Sequence, residues 1–218
     1  MHRRRFLLSA PMLPWAASRA WSADTLGEVD LSNMPLGKLP PEFLTELRTG
    51  KGALGDWQVV EDPTARAGKA IAQINAVATD YRFPLVVYEP LPAQDVEASV
   101  RFKPVSGQGD RAGGLAVRLR DPNNYYVVRA NALEDNVRLY RMVNGDRQQL
   151  AGASTKVASG VWHALMLRAK GDGLSVAFNG KPLFSHRDRT FTGLGKVALS
   201  TKADSVTRFD LLKVRPLT

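Results

Sequence analysis

Residues 123–132 read Asn-Asn-Tyr-Tyr-Val-Val-Arg-Ala-Asn-Ala, which puts aromatic, cationic and amide side chains into one short extended segment. Side chains along a strand point alternately to opposite faces. Tyr125, Arg129 and Asn131 therefore share one face, and Tyr126, Val128 and Ala130 share the other. Neighbouring segments divide in the same way. Val96, Ala98, Val100 and Phe102 alternate with Glu97, Ser99, Arg101 and Lys103. Leu115, Val117 and Leu119 alternate with Ala116, Arg118 and Arg120, and Val137 and Leu139 with Arg138 and Tyr140. Consecutive strands tend to be neighbours in space. On that basis the polar faces join into one surface carrying Glu97, Arg101, Arg118, Arg120, Tyr125, Arg129, Asn131, Arg138 and Tyr140. The chemistry of such a surface is recognition. A tyrosine offers a flat apolar face to a sugar ring, and arginine and asparagine offer directional donors to hydroxyls or carboxylates. A plain solvated sheet face, covered by long cationic stems, would have the same composition.

Other chemistries are missing. The chain has no cysteine, which excludes disulfides, thiolate nucleophiles and thiolate metal sites. It has no G-x-S-x-G, P-loop or dinucleotide fingerprint. Gly107-Gln108-Gly109 and Gly113-Gly114 read as turn and strand-entry glycines. His163 follows Trp162 in an apolar strand and His186 sits near a strand end, with no H-x-x-x-H spacing to suggest zinc. Glycoside hydrolysis needs two carboxylates facing one bond. Asp95-Val96-Glu97 puts two carboxylates on one face but lacks a leading glutamate, and the paired Glu134-Asp135 sit in a predicted turn and point apart.

The elements that must position these residues are strands. From Trp57 to the end, about a dozen short alternating runs are separated by turn signals and by no useful helix. Asn144-Gly145 and Asn179-Gly180 suit type I′ hairpin turns, and Gly171-Asp172-Gly173 suits a third turn. Only Pro41–Arg48 could make a helical turn or two. This pattern predicts an all-β antiparallel sandwich, with residues 24–218 forming one domain large enough to bury a core without staples. The chain carries a net charge of +9, but four of its 30 basic residues fall in the first 23 positions, which hold no acid. The rest has 26 basic against 21 acidic side chains, scattered along the chain, which argues against nucleic acid as a partner.

Three stretches carry a resemblance: GGLAVRLRDPNNYYVVRANALEDNVRLYRMVNGDRQQLA, SGVWHALMLRAKGDGLSVAFNGKPLF and GLGKVALSTKADSVTRFDLLKV. Over residues 26–218 the chain resembles the concanavalin A-like lectin/glucanase superfamily, most closely its bacterial laminin-G-like domains known as 3-keto-disaccharide hydrolases. The resemblance implies a jelly roll of two curved antiparallel sheets that binds carbohydrate on the concave face. The retaining glucanases of that superfamily carry E-x-D-x-E on one strand, and this chain does not. Action on 3-keto-glycosides would need a general base and an enediolate stabiliser, for which Glu97 beside Arg101 and Arg118 is the available set. Many relatives bind a structural calcium ion. Here Asp30 and Asp210 could meet at such a site if the terminal strands pair. No other cofactor is expected.

Residues 1–23 read as an export signal. Arg3-Arg4, then Phe6-Leu7, match the twin-arginine pattern, followed by a short apolar run from Leu7 to Ala17. That run, broken by Ser9, Pro11 and Pro14, is too short to anchor the chain in a membrane. Ser18-Arg19-Ala20 gives a small-x-small cleavage site. The expected partner is the twin-arginine translocase, and the expected destination is the periplasm or the medium. Replacing Arg3-Arg4 by two lysines should strand the precursor in the cytoplasm, unless Arg5 restores the pair. N-terminal sequencing of the exported protein should begin at Trp21 or Asp24. An uncleaved membrane form, or undiminished export of the double-lysine variant, would contradict the assignment.

Overall fold

The computed structural model describes residues 26–218. The export segment, including Arg3, Arg4 and the site after Ala20, lies outside the described residues. Among the described residues, fifteen strands form two sheets. One sheet holds β1 (Gly27–Glu28), β3 (Trp57–Glu61), β4 (Lys69–Gln73), β6 (Val96–Ser106), β11 (His163–Lys170), β12 (Gly173–Phe178), β13 (Lys181–Arg187) and β15 (Val206–Pro216). Its order is β13-β12-β11-β6-β15-β4-β3, with β1 also paired to β15. The other sheet holds β2 (Thr45–Gly50), β5 (Arg82–Ala93), β7 (Ala112–Asp121), β8 (Asn124–Asn131), β9 (Asn136–Val143), β10 (Asp146–Ser154) and β14 (Gly195–Ser200), in the order β10-β9-β8-β7-β14-β5-β2. Every strand pairing is antiparallel. No helix among the described residues is long and apolar enough to cross a membrane.

The alternation read from the sequence sets the core. Val100, Phe102, Leu165, Leu167 and Phe209 of the eight-stranded sheet pack against Leu115, Val117, Tyr126, Val128, Leu139 and Leu199 of the seven-stranded sheet. The two predicted Asn-Gly hairpins form, with φ of 51° and 87° at Asn144-Gly145 and 50° and 76° at Asn179-Gly180. The helical turn expected in Pro41–Arg48 does not form. Thr45–Gly50 instead pairs along the edge of β5 as β2. Backbone hydrogen bonds along a whole strand edge outweigh a helix too short to offset its nucleation cost.

Two further departures decide where the site lies. First, β6 and β7 follow one another but belong to different sheets. Their link is held across the end of the sandwich by Asp204, whose carboxylate accepts the N–H groups of Gln108, Gly109 and Asp110 at 2.6, 3.0 and 2.9 Å. Gly107 in this link has φ of +135°, and a Cβ there would lie 1.9 Å from Asp110 O, so only glycine makes the turn. Glu97 and Arg101 are thereby carried to the opposite side of the molecule from β7, β8 and β9. Second, β7 bulges between Val117 and Asp121, with Arg118 at φ of 51°. An extra residue reverses the inward and outward phase. Leu115 and Val117 face the core between the sheets, while Leu119 joins the opposite face.

Candidate functional site: the concave groove

The outer face of the seven-stranded sheet is also largely apolar. Phe83, Leu85, Val87, Ala116, Tyr125, Val127, Tyr140, Met142 and Ala198 form a second buried cluster there. Its central strands, β7 and β14, carry small side chains at Gly114, Ala116, Ala198 and Ser200, and its flanks carry the large ones. Contacts across this face show that the sheet is strongly curled. Thr49 Oγ1 on β2 and the Tyr125 hydroxyl on β8 are 2.7 Å apart, although four strand spacings, roughly 19 Å in a flat sheet, separate their strands. The Arg147 guanidinium on β10 lies 4.9 Å from the Phe83 ring on β5, five spacings away. The outer face is thus the inside of a groove. Tyr81 straps one end, donating to Gly145 O at 2.9 Å and accepting the Arg147 N–H at 2.9 Å.

A small pocket of about 20 Å³, room for roughly one water, lies in this groove, lined by Phe83, Tyr125, Val127, Arg129, Tyr140, Arg147, Ser200, Thr201 and Lys202. A polar network closes it at the β6–β7 link. Asp110 Oδ1 accepts from Arg129 at 3.2 Å and from Asn131 at 2.8 Å, while Oδ2 pairs with Lys202. Arg129 also pairs with Glu134 at 2.7 Å and donates to Asn136 at 3.0 Å. Two buried polar atoms on the pocket wall, Arg129 Nε and Thr201 Oγ1, have no hydrogen-bond partner among the described residues. Burying such a group unpaired costs roughly 1–3 kcal/mol. Burial pushes the Tyr125 phenol up, well above the ordinary tyrosine range, and keeps it a neutral donor or acceptor beside Thr49.

Of the residues expected on one surface, Tyr125, Arg129, Asn131, Arg138 and Tyr140 do share the groove face, as register shows. Asn131 is a support rather than a free contact, since it is fully buried between Asp110 and the Leu133 N–H. Arg138 lies beside the pocket and donates to Gln149 at 2.8 Å. The other four are elsewhere. Arg118 is fully buried at the bulge and donates to Gln94 O, Phe191 O, Gly171 O and Asp95 Oδ1 at 2.7–3.0 Å. Breaking a buried pair of this kind costs roughly 3–5 kcal/mol, which marks Arg118 as a structural clamp. Arg120 is exposed, with its guanidinium 5.2 Å from the Phe191 ring outside the groove. Glu97 and Arg101 lie on the outer face of the other sheet. Glu97 pairs there with Arg215 at 2.7 Å and Arg168 at 3.7 Å, and Arg101 with Asp210 at 3.3 Å. The set of Glu97, Arg101 and Arg118 is therefore not assembled.

The terminal strands do pair, Gly27 with Val214 and Glu28 with Lys213, and Asp30 and Asp210 line one pocket. The chain's own groups meet several of its oxygens, while Asp210 Oδ1, 3.3 Å from Arg101 Nε, has no hydrogen bond among the described residues. Asp30 accepts from Ser32 N and Oγ, Asp210 from the Arg66 N–H, and Lys69 Nζ takes Ser32 O and Met34 O at 3.1 and 2.7 Å. Among the described residues no three His, Cys, Asp or Glu side chains come together. Calcium takes six to eight oxygens, more than the Asp30 and Asp210 carboxylates supply.

Sequence reasoning missed Phe83, Arg147, Ser200, Thr201 and Lys202. Arg147 was within reach: the Asn144-Gly145 hairpin pairs it with Met142, on the same face as Tyr140. Phe83 lies in a continuous apolar run, which carries no sign of which face is which.

No family model matches the chain, and no curated protein matches its sequence. Solved structures match its architecture. The carbohydrate binding module CBM66 from Bacillus subtilis aligns with a TM-score of 0.63 at 18% identity, covering 79% of this chain and 96% of its own. Domain 4 of AbnA, a GH43 extracellular arabinanase from Geobacillus stearothermophilus, solved with arabinotriose, gives 0.56 at 16% identity, covering 90% and 96%. A β-1,3-1,4-glucanase (lichenase) derived from a mouse hindgut metagenome gives 0.53 at 11% identity, covering 83% and 96%. The fold is the concanavalin A-like jelly roll. At these identities the likeness is one of fold, and the groove described above is the concave face of that jelly roll.

The polar network makes a pH-dependent prediction for this concanavalin A-like domain. Burial would raise the Glu134 carboxyl, but hydrogen bonds from Arg129 and Asn136 and the charges of Arg129 and Lys202 outweigh it and hold the group at about 2, below its ordinary 4.5. The folded state then binds fewer protons at Glu134 than the unfolded state does. The stabilisation is complete above pH 4.5 and is lost as pH falls towards 2. Urea midpoints measured across this range should fall less steeply for Glu134→Gln than for the wild type. Parallel curves would show that Glu134 is not held in this network.

Proposed function

We propose that the chain is an exported, non-catalytic domain that binds a poly- or oligosaccharide in its concave groove. One observation carries this reading: the inside of the curled sheet gathers the Phe83, Tyr125 and Tyr140 rings with Arg129, Arg147 and Lys202 around one pocket. Aromatic faces beside cationic hydrogen-bond donors suit a sugar, which has apolar ring faces and hydroxyls in the ring plane. Two neighbours in fold support the reading, one a carbohydrate binding module and one solved with arabinotriose. Export to the periplasm or the medium through the twin-arginine translocase rests on residues 1–23, and it would bring the domain to extracellular glycans. Hydrolysis of 3-keto-glycosides has less support. No carboxylate lines the pocket, and the nearby Asp110 and Glu134 are both engaged by Arg129.

A glycan array identifies the sugar, and calorimetry then compares variants. Thr201→Val removes an unsatisfied hydroxyl, so its denaturation midpoint should match or exceed that of the wild type. Arg147→Ala, at a part-exposed residue of the pocket wall, should lower affinity roughly two- to twelvefold, the equivalent of one hydrogen bond. Tyr140→Ala should weaken binding further. Wild-type affinity in both the Arg147 and Tyr140 variants would place the binding site elsewhere.

A further inference from the structure

Among the described residues, the pocket wall carries one cation without an acidic partner. Arg147 lies over two rings, its guanidinium 4.7 Å from the Tyr140 centroid and 4.9 Å from that of Phe83. Its backbone N–H is fixed by the Tyr81 hydroxyl. Its side chain makes no ion pair and no hydrogen bond among the described residues. The two carboxylates near the groove are committed to other cations. Asp110 serves Arg129 and Lys202, and Glu134 serves Arg129. The pocket wall carries Arg129, Arg147 and Lys202 and no acid, so Arg147 is the charge left without compensation.

A guanidinium held over aromatic faces keeps its N–H donors in its own plane, where a carboxylate can accept two of them at once. Such a group is also weakly hydrated and preorganised, so little is lost when a ligand takes it up. A neutral sugar would leave the Arg147 charge unmet, and a sugar with a carboxylate would match it.

We propose that the groove selects a carboxylate-bearing sugar, a hexuronate unit, with the part-exposed Arg147 receiving the carboxylate. This rests on the groove being a sugar site, and the two ideas fail separately. Arg147 is then the residue that sets specificity for charge. The hairpin at Asn144-Gly145 and the Tyr81 strap position it.

Calorimetric titration of the protein with oligogalacturonate, oligoglucuronate and alginate oligomers, each beside its methyl ester, tests this directly. The ester keeps the ring and removes the charge. At least one acid should bind about tenfold or more tightly than its ester, and added salt should narrow the gap. Arg147→Gln should abolish the preference for the acid, and Arg147→Lys should keep only part of it, because the forked geometry is lost. The acid and ester comparison needs only the wild type, so it stands even if a variant folds poorly. Equal binding of acid and ester, or a preference that survives Arg147→Gln, would overturn the carboxylate assignment and leave the sugar groove intact. Binding of no acid, no ester and no glycan on the array would overturn the groove reading and this proposal with it.

Discussion

The seven-stranded sheet is apolar on both faces, and most of the molecule follows from that constraint. One face packs on the eight-stranded sheet through residues such as Val117, Tyr126 and Leu199. The other carries Phe83, Leu85, Val127 and Met142. A sheet with two apolar faces normally needs a layer on each side. Here the second face is turned in on itself. Small residues along β7 and β14 let the flanking strands approach, and contacts such as Thr49 to Tyr125 and Arg147 to Phe83 reach across the curl. The groove is thus a consequence of how the sheet buries its own surface. Its aromatic lining comes from the same packing requirement.

Polarity enters the groove from the ends of the strands. Asp204 gathers three backbone N–H groups of the β6–β7 link and so fixes Asp110. Asp110 in turn orients Arg129, Asn131 and Lys202. Burial pushes the Asp204 carboxyl up, but those backbone donors outweigh it and leave it lowered, which keeps it ionised and acceptor-only. A loop conformation that depends on Gly107 therefore determines the electrostatics of a pocket several residues away. The cost is borne by atoms such as Arg129 Nε and Thr201 Oγ1, which the protein buries without partners.

Much of the fold was legible because alternation is a local property. The runs at Trp57–Glu61, Asn124–Asn131 and Asn136–Val143 appear as strands at those bounds, with the predicted residues facing the core. Which strands share a sheet is not local. The step from β6 to β7 across the sandwich depends on Asp204, far along the chain, and it separated Glu97 and Arg101 from the rest of the expected surface. Bulges are equally opaque. Arg118 and Arg129 look alike in sequence, each alternating with apolar neighbours. A single positive φ turns Arg118 into the interior, where the protein consumes its donors. Arg82, fully buried and bonded to Ala53 O, Leu54 O and Ala203 O, shows the same ambiguity. Arginine identity marks a strong donor. Only the three-dimensional arrangement says whether that donor is already occupied.

The central claim is that the inside of the curled sheet, and not the opposite outer face, is the binding surface. Backbone amide chemical shifts followed by nuclear magnetic resonance during titration with the sugar chosen by the glycan array test it most directly. The account predicts perturbations that cluster at Phe83, Tyr140, Arg147 and Thr201, with none at Glu97, Met166 or Arg168 on the other sheet. Perturbations confined to that other face, or binding with no shift in the groove, would contradict it.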